Sequence, residues 1–171
     1  MLITLMFLTK ILPQDIQFPA PEQLINNTIN EENFCLKNFT IRPSVLACLV
    51  PQAESFAQAH LICNENNMKL LEVQSITEMR TLFKFTKQIF GTGGATVIWI
   101  EGLWEYEYQE WRKYGTNQSL ARSNELNILP KRFVGRDDYC LSIQSYFIGQ
   151  YELAPMRCYH KCYFYCQYNI Q

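Results

Sequence analysis

Charge of either sign is scarce in this chain. Lys and Arg number 15 and Asp and Glu 16, together 18% of the residues, for a formal net charge of −1. The basic residues are interleaved with acidic ones. No basic stripe exists to neutralise a run of phosphates, which argues against nucleic-acid binding, and polybasic attachment to a membrane surface is excluded with it. Histidine is scarcer still, at two residues, His60 and His160. Neither stands beside a Ser or Cys nucleophile motif. There is no paired acid/base signature, no glycine-rich phosphate loop and no nucleophile elbow. Gly91-Thr-Gly-Gly follows a helix signal rather than opening one, so it is a stop and a turn. Catalysis therefore has no residue constellation behind it, and no enzyme is expected. The apolar run of the first residues is too short to span a bilayer and no later segment is long enough, so membrane insertion is not expected. Internal repeats and low-complexity tracts are absent as well.

Apolar residues are plentiful. They make up 48% of 171 residues, enough for one domain with an ordinary core and too short for two. Seven cysteines stand out: Cys35, Cys48, Cys63, Cys140, Cys158, Cys162 and Cys166. They do not form the CxxC pairs of a zinc ribbon. Widely spaced cysteines suit disulfides in an oxidising compartment, and the odd count leaves one thiol over. Three N-x-S/T sequons, at Asn26, Asn38 and Asn117, sit in polar contexts and point the same way. The first residues, Met-Leu-Ile-Thr-Leu-Met-Phe-Leu, suit the apolar core of a signal peptide over residues 1–20. An ordinary N-terminal strand is the alternative, because no basic residue precedes the run and Lys10 interrupts it. Residues 21–34, continuing the Pro13, Pro19 and Pro21 stretch, read as a mobile segment.

Helix signals begin at Ser55, with Gln58 three residues on in capping-box spacing. Phe56, Ala59 and Cys63 then share one helical face, and Asn66-Asn67 ends the helix. Met68, Leu70 and Val73 suggest a short extended segment. Ser75 and Glu78 repeat the capping spacing for a second helix carrying Ile76, Met79, Leu82 and Phe83 on one face, then Thr86 and Phe90. Thr96 to Ile100 is apolar and β-branched, the mark of a buried strand. Trp104, Tyr106 and Tyr108 alternate with polar residues, as in a strand or hairpin. Residues 115–138 are polar and form a long loop region, the kind of segment that carries function. Strand signals return at Tyr139–Ile143, near Tyr146–Ile148 and at Tyr159–Tyr168. Helices followed by strands imply an α+β fold.

These pieces, in this order, resemble C-type lectin-like domains. Ser55-Phe56-x-x-Ala59-x-x-x-Cys63 is similar to the family's first helix, with Phe in place of its usual Trp. Leu70-x-x-Val73-x-Ser75-x-x-Glu78 resembles the lead into the second helix. Trp99-x-x-Gly102 resembles the next strand motif in the form seen in insect members, and Trp111-x-x-x-Gly115 the turn beyond it. Cys140, Cys158 and Cys166 fall at the spacing of the last three framework cysteines. The resemblance spans residues 35–169. It implies two helices packed on antiparallel sheets with a long loop region, in a secreted long-form member of the family. It also implies the pairings Cys63–Cys166 and Cys140–Cys158, with Cys35–Cys48 as the extra bridge of long forms. Cys162 is then left over. A free, buried thiol is the preferred reading; an interchain bridge in a homodimer, or a swapped pairing with Cys158, is the alternative. A metal site at Cys158, Cys162 and Cys166 with His160 would need these thiols on one helical face, and the aromatic run around them prefers strand.

Sugar binding in the family uses calcium, which takes about six to eight oxygen ligands, largely from carboxylates and side-chain amides. The resemblance places the ligand tripeptide at Leu129-Pro130-Lys131, where leucine offers no oxygen and lysine repels the ion. Before Cys158 the chain reads Leu153-Ala154-Pro155, or Tyr151-Glu152-Leu153 with two residues inserted. Asp137 and Asp138 alone match, so no calcium and no other cofactor is expected. The candidate ligand-binding residues are Trp104, Tyr106, Tyr108, Pro130, Lys131 and Asp138, within the loop region 104–139. Trp99 and Trp111 are assigned to the core, while Trp104, Tyr106 and Tyr108 stand open between a surface patch and packing. The partner expected is a glycan, bound without the usual calcium site, or an extracellular protein.

Overall fold

In a computed structural model the structure describes residues 34–91, 96–116, 118–120, 138–147 and 150–169. The expected signal peptide and all of segment 21–34 except Phe34 lie outside them. The chain runs β1 (Lys37–Arg42), β2 (Val45–Glu54), α1 (Phe56–Glu65), β3 (Lys69–Leu70), α2 (Ile76–Phe90), β4 (Thr96–Glu105), β5 (Glu110–Arg112), β6 (Tyr139–Phe147), β7 (Gln150–Arg157) and β8 (Cys162–Asn169).

Both helices start and stop on the signals in the sequence. Ser55 Oγ accepts from the Gln58 amide at 3.4 Å and Ser75 Oγ from the Glu78 amide at 3.1 Å, each satisfying an otherwise orphan donor of the first turn. In α2 the reciprocal half of a capping box is displaced by one residue. Glu78 Oε2 accepts from the Gln74 amide at 2.8 Å, and the same carboxylate holds Arg42 Nη1 at 3.2 Å. That contact ties the entry of α2 to β1. At the far ends Asn67 (φ 56°) and Gly91 (φ 74°) take the positive φ that Asn and Gly tolerate best.

The strands form one sheet in the order β1-β2-β8-β4-β6-β7, with β3 added to β8 and β5 to β4. The expectation of purely antiparallel pairing needs one correction. β8 and β4 run parallel, Ile98 opposite Tyr163 and Trp99 opposite Phe164, while the other pairs are antiparallel. A second correction concerns order, because β1 and β2 precede α1, where sequence patterning marked no strand. The Val45–Val50 half of β2 is inward-facing on both sides of the sheet, so its apolar run lacks the alternation that marks a half-exposed strand. β7 carries Pro155, which has no amide to give to a ladder, and it lies at the sheet edge where that loss is tolerated. The expected strand over Tyr159–Tyr168 begins only at Cys162, after a turn.

The sheet separates two apolar layers. Successive residues of β2, β4 and β8 alternate between them, as a strand's two-residue period requires. Leu49, Ile98, Ile100 and Tyr165 face the α2 side, where Leu82 of α2 is fully buried. Val50, Val97, Trp99 and Phe164 face the α1 side against Phe56, Ala59 and Cys63. Tyr165 is completely buried, with its hydroxyl 3.0 Å from Thr86 Oγ1. Thr86 gives its own proton to the Leu82 carbonyl at 2.8 Å, so Tyr165 is the donor in that pair. Burial pushes the Tyr165 hydroxyl well above its ordinary value and keeps it protonated for this role.

All seven cysteines lie on the α1 side. Three bridges form there: Cys35–Cys48, Cys63–Cys166 and Cys140–Cys158, closing 13, 103 and 18 residues respectively. In the chain-entropy account a loop near 100 residues contributes about 4.7 kcal/mol and one near 15 about 3 kcal/mol. Replacing Cys63 and Cys166 together by Ala is therefore expected to lower unfolding free energy more than replacing Cys35 and Cys48, by about 1–2 kcal/mol, as read from urea midpoints at equal slope.

Gly102 marks where β4 leaves its even register with β6, between Trp99 and Leu103. Its φ is 152°, and a Cβ there would stand 2.9 Å from Leu141 Cβ on the neighbouring strand. Gly102→Ala is expected to destabilise the fold by about 2 kcal/mol or more, because both backbone and packing must give, measurable as a lowered thermal midpoint.

Candidate functional site

Beyond Gly102, β4 turns back on itself as a hairpin with β5. Trp104 pairs with Trp111 and Glu105 with Glu110. Trp104 and Trp111 meet edge to face with centroids 5.5 Å apart, buried with Leu120 in the core. Of the three aromatic candidates left open by the sequence, Trp104 is thus packed inward and offers no open face. Its exposure of 6% contrasts with 47% for Tyr106 and 56% for Tyr108. Those two tyrosines sit in the hairpin turn, which Gln109 closes by donating to the Tyr106 carbonyl at 2.7 Å. The Arg112 guanidinium lies 3.6 Å from the Tyr108 ring centre and donates to Glu110 at 2.8 Å. Ser119 donates to the other oxygen of Glu110 at 2.8 Å. One face of Tyr108 is therefore fixed by a cation, and the ring is held out to solvent at little further cost in side-chain freedom.

The remaining candidates do not gather around the hairpin. Leu129, Pro130, Lys131 and Asp137 lie outside the described residues, as do the sequon residues Asn26 and Asn117. Asn38 is exposed on the edge strand β1. Asp138 is exposed and its carbonyl accepts from the Cys158 amide at 3.1 Å. Glu152, the other carboxylate considered for calcium, stands opposite Gln144 on the β6–β7 ladder. Six residues of strand separate it from Asp138, on the order of 20 Å, so the two cannot share an ion. Among the described residues no group of three or more His, Cys, Asp and Glu side chains is placed to hold a metal. Nor is any helix among them long and apolar enough to cross a membrane.

A second feature escaped the sequence reading. Glu101 sits in the apolar run of β4 and is buried. Its Oε1 accepts from the Tyr114 amide at 2.8 Å, and its Oε2 is 3.1 Å from His60 Nε2, though without the alignment of a hydrogen bond. The His60 ring lies between Phe56 and Tyr114, with centroids 5.0 and 4.8 Å away. Glu101, His60 and Tyr114 form one wall of a cleft of about 370 Å³ between α1, β3, β4 and the segment after β5. Lys113 and Glu72 pair at its side at 2.6 Å. The available signal was a lone carboxylate inside a buried strand, four residues before the hairpin turn begins.

Cys162 is a free thiol, 2% exposed, on the α1 side of β8. Burial pushes the thiol up from 9.0 to about 12. This is the environment of an inert structural cysteine, and its sulfur is not at the surface where an interchain bridge would form. The folded protein keeps the proton longer than the unfolded chain does. Stability from this group is therefore present below pH 9 and falls as pH rises from about 9 towards 12. Alkylation of Cys162 by iodoacetamide at pH 8 is expected to be about a thousandfold slower in the folded protein than after unfolding, and a non-reducing gel is expected to show monomer.

One mixed sheet with a helix on each face, a long segment between β5 and β6, and three bridges gathered on one side define an α+β C-type lectin-like fold. No family model matches the sequence, and no curated protein matches it. Solved structures do match. SPL-1 in its complex with GlcNAc superposes with a TM-score of 0.58 at 18% identity, over 78% of this chain and 94% of that one. Rhodocetin gives 0.56 at 14% identity, over 80% and 97%. The carbohydrate-recognition domain of the mouse scavenger receptor C-type lectin gives 0.51 at 19% identity, over 79% and 94%. At these identities the likeness establishes the fold.

Proposed function

We propose that this chain is a secreted, glycosylated, non-catalytic binding protein that recognises carbohydrate without the calcium site usual for its fold. The observation that carries this reading is the β4–β5 hairpin, which presents Tyr106 and Tyr108 to solvent with Tyr108 pinned under Arg112. An exposed, rigid aromatic face stacks on the apolar side of a sugar ring and needs no metal to do so. Two of the matched structures are a complex with GlcNAc and a carbohydrate-recognition domain. Against calcium stand Leu129 and Lys131 in the sequence and the separation of Asp138 from Glu152 in the fold. Export is supported by the apolar N-terminal run and by three bridges that persist in an oxidising compartment. Glycosylation is supported most directly at Asn38, whose side chain is exposed. The finer placement as a long-form, insect-like member rests on the Cys35–Cys48 bridge and on Trp99-x-x-Gly102.

The same hairpin favours one second reading. Tyr and Arg are the residues enriched at the energetic centres of protein interfaces, and a further matched structure is EMS16, described as an antagonist of a collagen receptor integrin. A glycan array run with calcium and with chelator separates the two. Binding is expected under both conditions and is expected to weaken about tenfold in a Tyr106→Ala/Tyr108→Ala variant, the scale of one lost aromatic contact. Chelator-sensitive binding would overturn the calcium-free reading, and an array silent under both conditions would turn the assignment to a protein ligand.

A further inference from the structure

The cleft beside α1 has no part in the hairpin reading, and its chemistry is of another kind. Its wall is polar. Asn64 and Gln118 line it with amide groups, which can exchange hydrogen bonds with a hydroxyl-rich ligand. Tyr114, 41% exposed, supplies the aromatic face, and its inner side rests on the rings of His60 and Phe56. The charges sort by pairing. Glu72 is neutralised by Lys113 at 2.6 Å. Glu101 is buried, its Oε1 engaged by the Tyr114 amide and its Oε2 3.1 Å from His60 Nε2 without a hydrogen bond. Lys69, exposed on β3, has no carboxylate partner among the described residues, so it brings the unpaired charge to the cleft. At about 370 Å³ the space lies near the small end of ligand sites, which run from about 300 to 1,000 Å³.

We infer that this cleft is a second ligand site, taking one pyranose residue that carries a carboxylate, with Lys69 meeting the carboxylate and Tyr114 the ring. A neutral sugar would leave Lys69 without a counter-charge. A bare carboxylate would leave the aromatic face and the amides unused. The floor is rigid, since the Glu101 amide donates to the Leu71 carbonyl at 2.7 Å and the Lys113 amide to the Gln118 carbonyl at 2.9 Å. Binding is thus set by side chains already in place rather than by closure of the backbone.

The two histidines make the test direct. His60 lies against Tyr114 in the cleft wall, and His160 is exposed in the turn before β8. Proton NMR of both imidazoles is followed on the full chain, in EDTA, while D-glucuronate, D-glucose or acetate is added. D-glucuronate is expected to shift the His60 signals and leave His160 unmoved, saturating near millimolar concentration, the ordinary strength for one small ligand. D-glucose and acetate are each expected to be at least tenfold weaker. Lys69→Gln is expected to bring D-glucuronate down to the level of D-glucose, while Lys84→Gln on α2, across the sheet, is expected to change nothing. Equal shifts by acetate would reduce the cleft to a simple anion site and overturn the proposal. Equal binding of D-glucose, a requirement for calcium, or no shift with any of the three would overturn it as well. The hairpin reading stands or falls on the array with its tyrosine variant and is untouched by these titrations.

Discussion

The fold depends on β8 lying at the centre of the sheet. This strand pairs with β2 on one side and β4 on the other, and β3 adds to it as well. Its side chains serve both layers. Tyr165 reaches up to Thr86 of α2, while Phe164 and Cys166 reach down to α1. The Cys63–Cys166 bridge then fastens α1 to that central strand, so one covalent bond joins the helix layer to the member of the sheet on which every other strand is ultimately aligned. Cys48 stands directly opposite Cys166 in the ladder and carries the Cys35 bridge. Two staples therefore meet at one point in the α1 layer, while the α2 layer is held by packing, hydrogen bonds and the Arg42–Glu78 ion pair.

Much of this is legible in the sequence alone, and for local reasons. Ser55, Ser75, Asn67 and Gly91 act within one helical turn, so their roles follow from neighbours a few residues away. The cysteine framework was legible because the resemblance is carried by order and spacing, which survive where identity does not. The strands that went unread share a cause. β2 is buried on both sides and shows no alternation, and β7 contains a proline that only its edge position excuses. Edge and centre are properties of the whole sheet, and no window of sequence contains them. The parallel β4–β8 pair likewise arises from a meeting of segments more than sixty positions apart in register, about which periodicity is silent.

The candidate site divides along the same line. Alternation placed Trp104, Tyr106 and Tyr108 on one face of a strand, but the hairpin turn intervenes after Glu105 and sends the tyrosines outward while Trp104 stays with Trp111. The cleft was not legible at all. His60, Glu101 and Tyr114 belong to a helix, a strand and a loop, and each looks ordinary alone. What distinguishes them is a carboxylate forced into a buried strand and then satisfied by a backbone amide thirteen residues on. Scaffold and surface thus obey different constraints here. The bridges and the two-faced sheet fix the first, while the second is written in a few exposed side chains on short connections.

The central place of β8 also dictates the order in which a ribosome's product can mature. Cys63 leaves the exit tunnel 103 residues before its partner, and Cys140, Cys158 and Cys162 all emerge first. During that interval the thiol of α1 is exposed to five incorrect partners, Cys35 and Cys48 among them, and neither β2 nor β4 has the strand that lies between them. The correct topology is reached only after Cys166 has emerged, by closing a long loop, the slowest class of contact to form. Cys162, sealed in the finished layer, is the thiol that this order of events must leave unpaired.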